Sequence, residues 1–247
     1  MSEPFLSVVI PAYNEEARLV PSLEKVTAYL RRQSYSSEVI VVSDGSRDGT
    51  AAAAQHWRPP DFPLVVIDRK ENKGKGYTVR EGVAKARGTF ILFSDADLST
   101  PIEEVEKLLP FFQQDYEVVI ASRSLKSSEI LVRQPWRREL MGKVFNRIVQ
   151  FLAVPGIIDT QCGFKCFSRK AAAAIFPLCR VDGFAFDVEI LYLARKLGLK
   201  VKEVPVRWID SPRSTVSPLR DSARMFREVL SLRISDWRGA YRRRSNQ

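Results

Sequence analysis

Short apolar runs alternate with amphipathic segments of helical length through the first half of the chain, and this alternation restricts the fold more than any other feature of the sequence. Leu6 to Ile10 is a β-branched run that stops at Pro11, and Val39 to Val42 is a second that stops at Ser43-Asp44-Gly45. Both read as buried parallel strands. Between them, Glu15 to Arg32 places Leu19, Leu23, Val26 and Leu30 at helical intervals, which supplies the crossover that parallel strands require. The pattern recurs: Leu64 to Ile67, Phe90 to Phe93 and Val118 to Ala121 read as strands, Tyr77 to Ala86 and Ile102 to Phe112 as helices. A series of this kind predicts an α/β fold, a single Rossmann-like domain with a mostly parallel central sheet. The length of 247 residues with 45% hydrophobic content is enough to bury one full core.

Ligands of such sheets sit beyond the carboxyl ends of the strands. Three polar turns gather there. The first strand runs into Pro11-Ala12-Tyr13-Asn14-Glu15, the second into Asp44-Gly45-Ser46 and the fourth into Asp95-Ala96-Asp97. Two carboxylates separated by one small residue suit Mg²⁺ or Mn²⁺, hard cations that take one or two carboxylates plus phosphate oxygens. The competing reading is a solvated turn in which Asp97 caps the helix beginning near Pro101. Asp44-Gly45-Ser46 reads equally as a plain β-turn or as a contact to a base or ribose. Asn72-Lys73-Gly74-Lys75-Gly76 can lay cations and backbone N–H groups along phosphates, but lacks the spacing and terminal Lys-Ser/Thr of a P-loop.

The net charge of +10 narrows the partners to nucleic acid, an anionic membrane or phosphorylated small molecules. Its distribution argues against nucleic acid: residues 1 to about 120 are nearly balanced, and the arginine excess lies in 123–147 and 213–244. No run approaches the roughly 20 apolar residues of a spanning helix, and no signal sequence is legible, so a cytoplasmic location is expected. The three cysteines, Cys162, Cys166 and Cys179, read as reduced structural thiols rather than zinc ligands, since the sole histidine, His56, lies far upstream. His56 reads as part of a frayed helix end without a chemical role.

The segments SVVIPAYNEE (7 to 16), VIVVSDGSRDGT (39 to 50), NKGKGYTVREG (72 to 82) and FSDADLSTP (93 to 101) together resemble the donor half of family 2 GT-A glycosyltransferases. DTQCGFKCF (159 to 167) and FAFDVEILYLA (184 to 194) resemble the dolichyl-phosphate β-glucosyltransferase branch, with polyprenyl-phosphate mannose synthases as cousins. The resemblance implies that Pro11, Ala12, Tyr13 and Glu15 hold the nucleotide, with Asp44 at the base or ribose, Lys75 near the phosphates, and Asp95 and Ala96 against the donor. Asp95 and Asp97 would hold the metal. Mannose synthases often place Gln at the position of Ser99, so water is expected as a further ligand.

For the acceptor, the same resemblance puts Arg123 and Arg137 on a lipid phosphate, with Arg138 competing for the second role and Arg213 at a position where relatives carry a Ser-Lys pair. Arg137 falls near the centre of an apolar helical face made by Trp136, Leu140, Met141, Val144, Phe145, Ile148 and Leu152, where a guanidinium must snorkel out or meet an anion. A phosphate acceptor carries its own anionic oxygen and needs no general base. Asp187 would orient acceptor or sugar hydroxyls, or cap its helix. The implied reaction is inverting transfer of a hexose from a nucleotide sugar, UDP-glucose first among the donors, to a polyprenyl phosphate. GDP-mannose, UDP-N-acetylglucosamine and a non-catalytic nucleotide-sugar-binding protein are the alternatives.

From Ser217-Pro218 onward, Leu219, Ala223, Phe226, Val229, Leu230, Ile234, Trp237 and Tyr241 share one helical face flanked by Arg220, Arg224, Arg227, Arg238 and Arg242. This segment, 213–247, follows a catalytic domain spanning 1–212. A basic amphipathic helix suits an anionic membrane surface or packs on the domain itself, and both readings stand.

Overall fold

The alternating runs build a seven-stranded sheet in the order β3-β2-β1-β4-β7-β5-β8. It is seen in a computed structural model that describes residues 3–132, 147, 149–150, 152–210 and 218–241, with the backbone alone for 218–223. The chain runs β1 (Leu6–Ala12), α1 (Glu16–Leu30), β2 (Ser37–Ser43), α2 (Thr50–Trp57), β3 (Leu64–Asp68), α3 (Lys75–Lys85) and β4 (Phe90–Ser94). There follow α4 (Val105–Leu108), β5 (Val118–Ser122), β6 (Glu129–Val132), β7 (Phe164–Ser168), α5 (Arg169–Ile175), α6 (Phe186–Lys196), β8 (Val201–Pro205), β9 (Arg207–Ile209) and α7 (Pro218–Trp237).

Successive strand residues face opposite sides of the sheet, and the two faces bury separate cores. Val9, Ile40, Val42, Phe93, Ile120 and Phe167 pack under α3, α5, α6 and α7. Val8, Ile10, Val39, Val41, Leu92 and Phe164 pack under α1, α2 and α4. The result is a three-layer α/β/α sandwich in which β1, β2, β4, β5 and β7 are buried on both sides, while the edge strands β3 and β8 are only partly covered.

β1, β2, β3 and β4 are mutually parallel. β7 breaks the pattern by running antiparallel between β4 and β5, while β8 returns parallel beside β5. β6 and β9 form a separate two-stranded sheet.

Three details depart from the sequence reading. β1 continues through Pro11 to Ala12. Pro11 lies beyond the last β1–β4 pair, Val9 with Phe93, so its missing N–H leaves no gap in that ladder. The expected helix from Ile102 to Phe112 is a four-residue α4 between 3-10 turns at Ile102–Glu104 and Leu109–Gln114, because Pro110 withholds the donor a continuous helix needs. The expected apolar face of α7 divides: Val229, and Tyr241 just past the helix, are buried together with Met225 and Leu232 in the core shared with α6, whereas Phe226, Leu230, Ile234 and Trp237 are exposed. No helix among the described residues is long and apolar enough to cross a membrane.

Candidate active site

β1 pairs with β2 on one side and with β4 on the other, so the strand order reverses at β1 and a crevice opens beyond the ends of β1 and β4. This is where an open α/β sheet places its ligand. Pro11 and Ala12 are buried at the floor on the β1 side and Tyr13 is exposed. Asn14 adopts φ 54° and its side chain accepts from the Arg47 N–H at 2.9 Å, fastening the turn after β1 to the turn after β2. Glu15 pairs with Arg18 at 2.7 Å. Burial pushes the Glu15 carboxyl up, Arg18 opposes this, and the charges of Asp97 and Asp95 add to it.

Asp44 is buried and its carboxylate is filled by the chain's own donors. It accepts from the N–H of Lys73 at 2.8 Å and of Gly74 at 2.9 Å, and pairs with Arg69. Here it moulds the glycine-rich turn, and Gly45 at φ 64° packs against Glu71 and Asn72 where a Cβ would collide with backbone. The next donors of that turn, the N–H groups of Gly76 and Tyr77, go to the Asp182 carbonyl at 2.8 and 3.4 Å. These four backbone donors are therefore engaged by the chain itself, and the turn also carries the ammonium groups of Lys73 and Lys75.

Lys75 begins α3 and reaches the Asp95 carboxylate at 2.7 Å. Burial would lower the Lys75 pKa, but Asp95, Asp187 and Asp97 outweigh it and raise it. Asp97 accepts from the Ser99 N–H at 3.0 Å, and the following 3-10 turn begins after Pro101. The carboxylate therefore closes a tight turn around Leu98, φ 49°, instead of capping a helix as its spacing suggests. Asp95 donates its N–H to the Gly163 carbonyl at 3.0 Å, and Gly163 passes so close that a Cβ there would overlap the Asp95 carboxylate.

Arg123, just past β5, is held by Asp159 through three contacts of 2.8 Å, one from its N–H and two from its guanidinium. Burial would depress the arginine pKa, yet Asp159 raises it. Burial likewise pushes the Asp159 carboxyl up, and Arg123 wins by pulling it down. The Arg123 guanidinium also lies 5.4 Å from the Trp208 ring centroid.

Asp187, in the first turn of α6, is buried and pairs with Lys165. The α6 N-cap is Ala185, whose N–H bonds to Glu228 of α7 at 3.2 Å, so Asp187 does not serve as the cap. Glu189 instead accepts from the N–H groups of Arg180 and Val181 and from the Tyr241 hydroxyl. Arg137, Arg138 and Arg213 lie outside the described residues.

The structure thus brings together Glu15, Lys75, Asp95, Asp97, Arg123 and Asp187 from five separate elements. Three members of the centre have no assigned role in the sequence reading: Asp159, Gly163 and Lys165. The available signal was a lysine placed between Phe164 and Cys166 in an otherwise apolar strand, since a lysine is almost never buried unless paired. Cys162 and Cys166 are buried beside it as free thiols, the first pushed up to about 12 by desolvation. Among the described residues no third His, Cys, Asp or Glu joins Asp95 and Asp97 in a metal-binding group.

A profile described as Glycosyl transferase family 2 matches residues 7–176. The chain is 36% identical over 242 residues to the dolichyl-phosphate β-glucosyltransferase of Dictyostelium discoideum, covering 93% of this chain and 74% of that one. It is 37% identical over 250 residues to the Drosophila melanogaster protein of the same name, covering 96% and 77%. The chain belongs to glycosyl transferase family 2, among the dolichyl-phosphate β-glucosyltransferases. This glycosyltransferase also shares its fold with solved structures. Mannosyl-3-phosphoglycerate synthase from Rubrobacter xylanophilus aligns at TM-score 0.71 and 20% identity, over 98% of this chain and 77% of that one. Glucosyl-3-phosphoglycerate synthase from Mycobacterium tuberculosis, in complex with Mn²⁺, UDP and glucosyl-3-phosphoglycerate, aligns at 0.68 and 22%, over 94% and 79%.

Proposed function

We propose that this chain transfers glucose from UDP-glucose to a polyprenyl phosphate with inversion, giving a β-linked lipid phosphosugar and UDP. The observation that carries this reading is the ion pairing of the centre. Asp187 is paired with Lys165, Asp159 with Arg123 and Asp95 with Lys75, so each of the three carboxylates is already engaged by a cation of the chain, even though burial outweighs Lys165 and Lys75 and pushes the Asp187 carboxyl up. His56 is distant, on the last turn of α2 with its ring bonded to the Ala52 carbonyl. An acceptor alcohol would need its proton removed; an acceptor phosphate does not.

Pro11, Ala12, Tyr13 and Ala96 line the switch-point crevice and suit a nucleotide, while Glu15 and Asp44 hold the two turns that frame it. Lys75 faces the diphosphate position. Asp95 and Asp97 would hold Mg²⁺ or Mn²⁺, and two protein carboxylates suffice for an ion that also binds diphosphate oxygens and water. When bound, such an ion neutralises charge on the departing diphosphate. Arg123, fixed by Asp159, offers a rigid cation for the acceptor phosphate, and Asp187 orients hydroxyl groups of sugar or acceptor. Arg137, Arg138 and Arg213 remain candidates for the same phosphate on resemblance alone. Rate would then come from alignment and charge stabilisation in one displacement.

The deciding experiment is transfer of radiolabel from UDP-glucose into an organic-extractable product, with polyprenyl phosphate in detergent and either cation. A cation-dependent lipid product is expected. Its absence across UDP-glucose, UDP-N-acetylglucosamine and GDP-mannose, with UDP binding intact, would overturn the assignment in favour of a binding protein.

A peripheral seat at the cytoplasmic face of a membrane completes the reading. Phe226, Leu230, Ile234 and Trp237 form the exposed stripe of α7 beside exposed Arg227 and Arg238, a combination suited to anionic lipid. Trp237, 86% exposed, is the reporter. Its emission should shift to the blue with anionic vesicles and stay unchanged with zwitterionic ones, and Trp237→Ala should weaken co-flotation. No co-flotation with anionic vesicles would remove the membrane from the proposal.

A further inference from the structure

Lys165 is fully buried, an environment that burdens an ammonium with a large desolvation penalty. Its position follows from the antiparallel insertion of β7, which sets Lys165 directly opposite Phe93 on β4 and Ile120 on β5. Its neighbours Phe164 and Cys166 point to the other face of the sheet, so Lys165 enters the layer beneath α3 and α6. There its Nζ donates to the Cys162 carbonyl at 2.7 Å and to Asp187 Oδ1, and lies 5.8 Å from the centroid of the Phe93 ring. The Lys75 ammonium stands 5.4 Å from the same centroid.

Two cations therefore flank one aromatic ring, each joined to a carboxylate: Lys165 to Asp187, and Lys75 to Asp95 at 2.7 Å. A buried pair of this sort adds little stability compared with apolar side chains of similar size. What it does supply is a fixed direction. A carboxylate with one oxygen held by an immobile ammonium cannot swing through its rotamers, and the carbonyl of Cys162 ties that ammonium to the loop carrying Gly163 and hence to Asp95.

We propose that Lys165 is a positioning residue for the transfer reaction, holding the Asp187 carboxylate in the orientation in which it meets the substrates. This inference rests on the reaction proposed above. It predicts that Lys165→Met lowers kcat about 100-fold, the scale of a misplaced reacting group, while KM for UDP-glucose and the affinity for UDP change less than about twofold. Lys165→Arg, which keeps a cation, should recover part of the loss.

The stronger test is a double-mutant cycle with Asp187→Asn. If Lys165 acts through Asp187, the double variant is no slower than the worse single one, because two residues acting as a unit do not multiply their effects. A second readout needs no substrate. Lys165→Met leaves a buried carboxylate without its cation and should lower the thermal midpoint by roughly 10 °C, and adding Asp187→Asn should restore much of it. The inference is overturned by wild-type kcat in Lys165→Met, by losses that multiply in the double variant, or by a midpoint that fails to recover. A wild-type protein that transfers no sugar would count against the proposed reaction, and the thermal cycle would still decide whether Lys165 acts on Asp187.

Discussion

Replacing Asp97 with alanine should reduce transfer at least about 1,000-fold, or about 4 kcal/mol in the barrier, the scale of losing charge stabilisation of a departing diphosphate. The structure separates two contributions of this side chain. Its Oδ1 closes the turn by accepting from the Ser99 N–H, which is worth about 1 kcal/mol, and its charge would serve the cation. Asp97→Asn keeps the first and removes the second. Both variants should therefore lose activity to a similar degree, and only the alanine variant should unfold at a lower temperature. A titration of Mn²⁺ with UDP by calorimetry should show weakened cation binding in both. If Asp97→Asn transferred sugar at the wild-type rate, Asp97 would be a turn residue only.

Gly163→Ala should lower transfer by about 100-fold or more, although it adds a single methyl group and no charge. A Cβ at this position would overlap the Asp95 carboxylate, which approaches Gly163 while bonded to Lys75. Either Asp95 turns away from Lys75 or β7 withdraws from β4, and a displacement of 1 Å at a reacting centre costs on the order of 100-fold. Overpacking of this kind destabilises by roughly 1–3 kcal/mol, so the variant should fold. Its signature is a raised requirement for the divalent cation, measured as the half-saturating concentration for transfer. Wild-type activity in Gly163→Ala would mean that Asp95 does not need its present position.

The first five strands and the helices α1 and α3 were legible because each strand is a mostly apolar run and each of these helices carries one apolar stripe; the alanine-rich α2 offers no such stripe and was not read, and the helix expected after β4 is broken at Pro110. The turns holding Glu15, Asp44, Asp95 and Asp97 were legible for a related reason, since they follow closely on those runs, whereas Lys75 stood out through the glycine-lysine turn that precedes α3. What could not be read were the partners. Asp159 and Lys165 meet Arg123 and Asp187 only through the placement of β7, and strand order is a long-range property that local periodicity does not encode. β7 was itself obscured by the lysine that interrupts its apolar character. The C-terminal helix shows a further limit. Its stripe was correctly seen as apolar, but a single face on a helical wheel conceals a division between residues turned to the core and residues left at the surface, which depends on how the helix is rotated against α6.

The position of β7 also bears on the order in which the molecule can be made. The four-stranded unit β3-β2-β1-β4 is complete within the first 94 residues, but β5 has no neighbour on its β4 side until Phe164–Ser168 arrives. During synthesis from the ribosome, this four-stranded unit can form early, while β5 waits for the strand that will join it to the rest. Until then β4 presents an unpaired edge, the kind of surface that invites mispairing in a growing chain. The strand that fills this gap is also the one that brings Lys165 and the Gly163 backbone to the centre, so the site would be assembled only once β4 and β5 are joined.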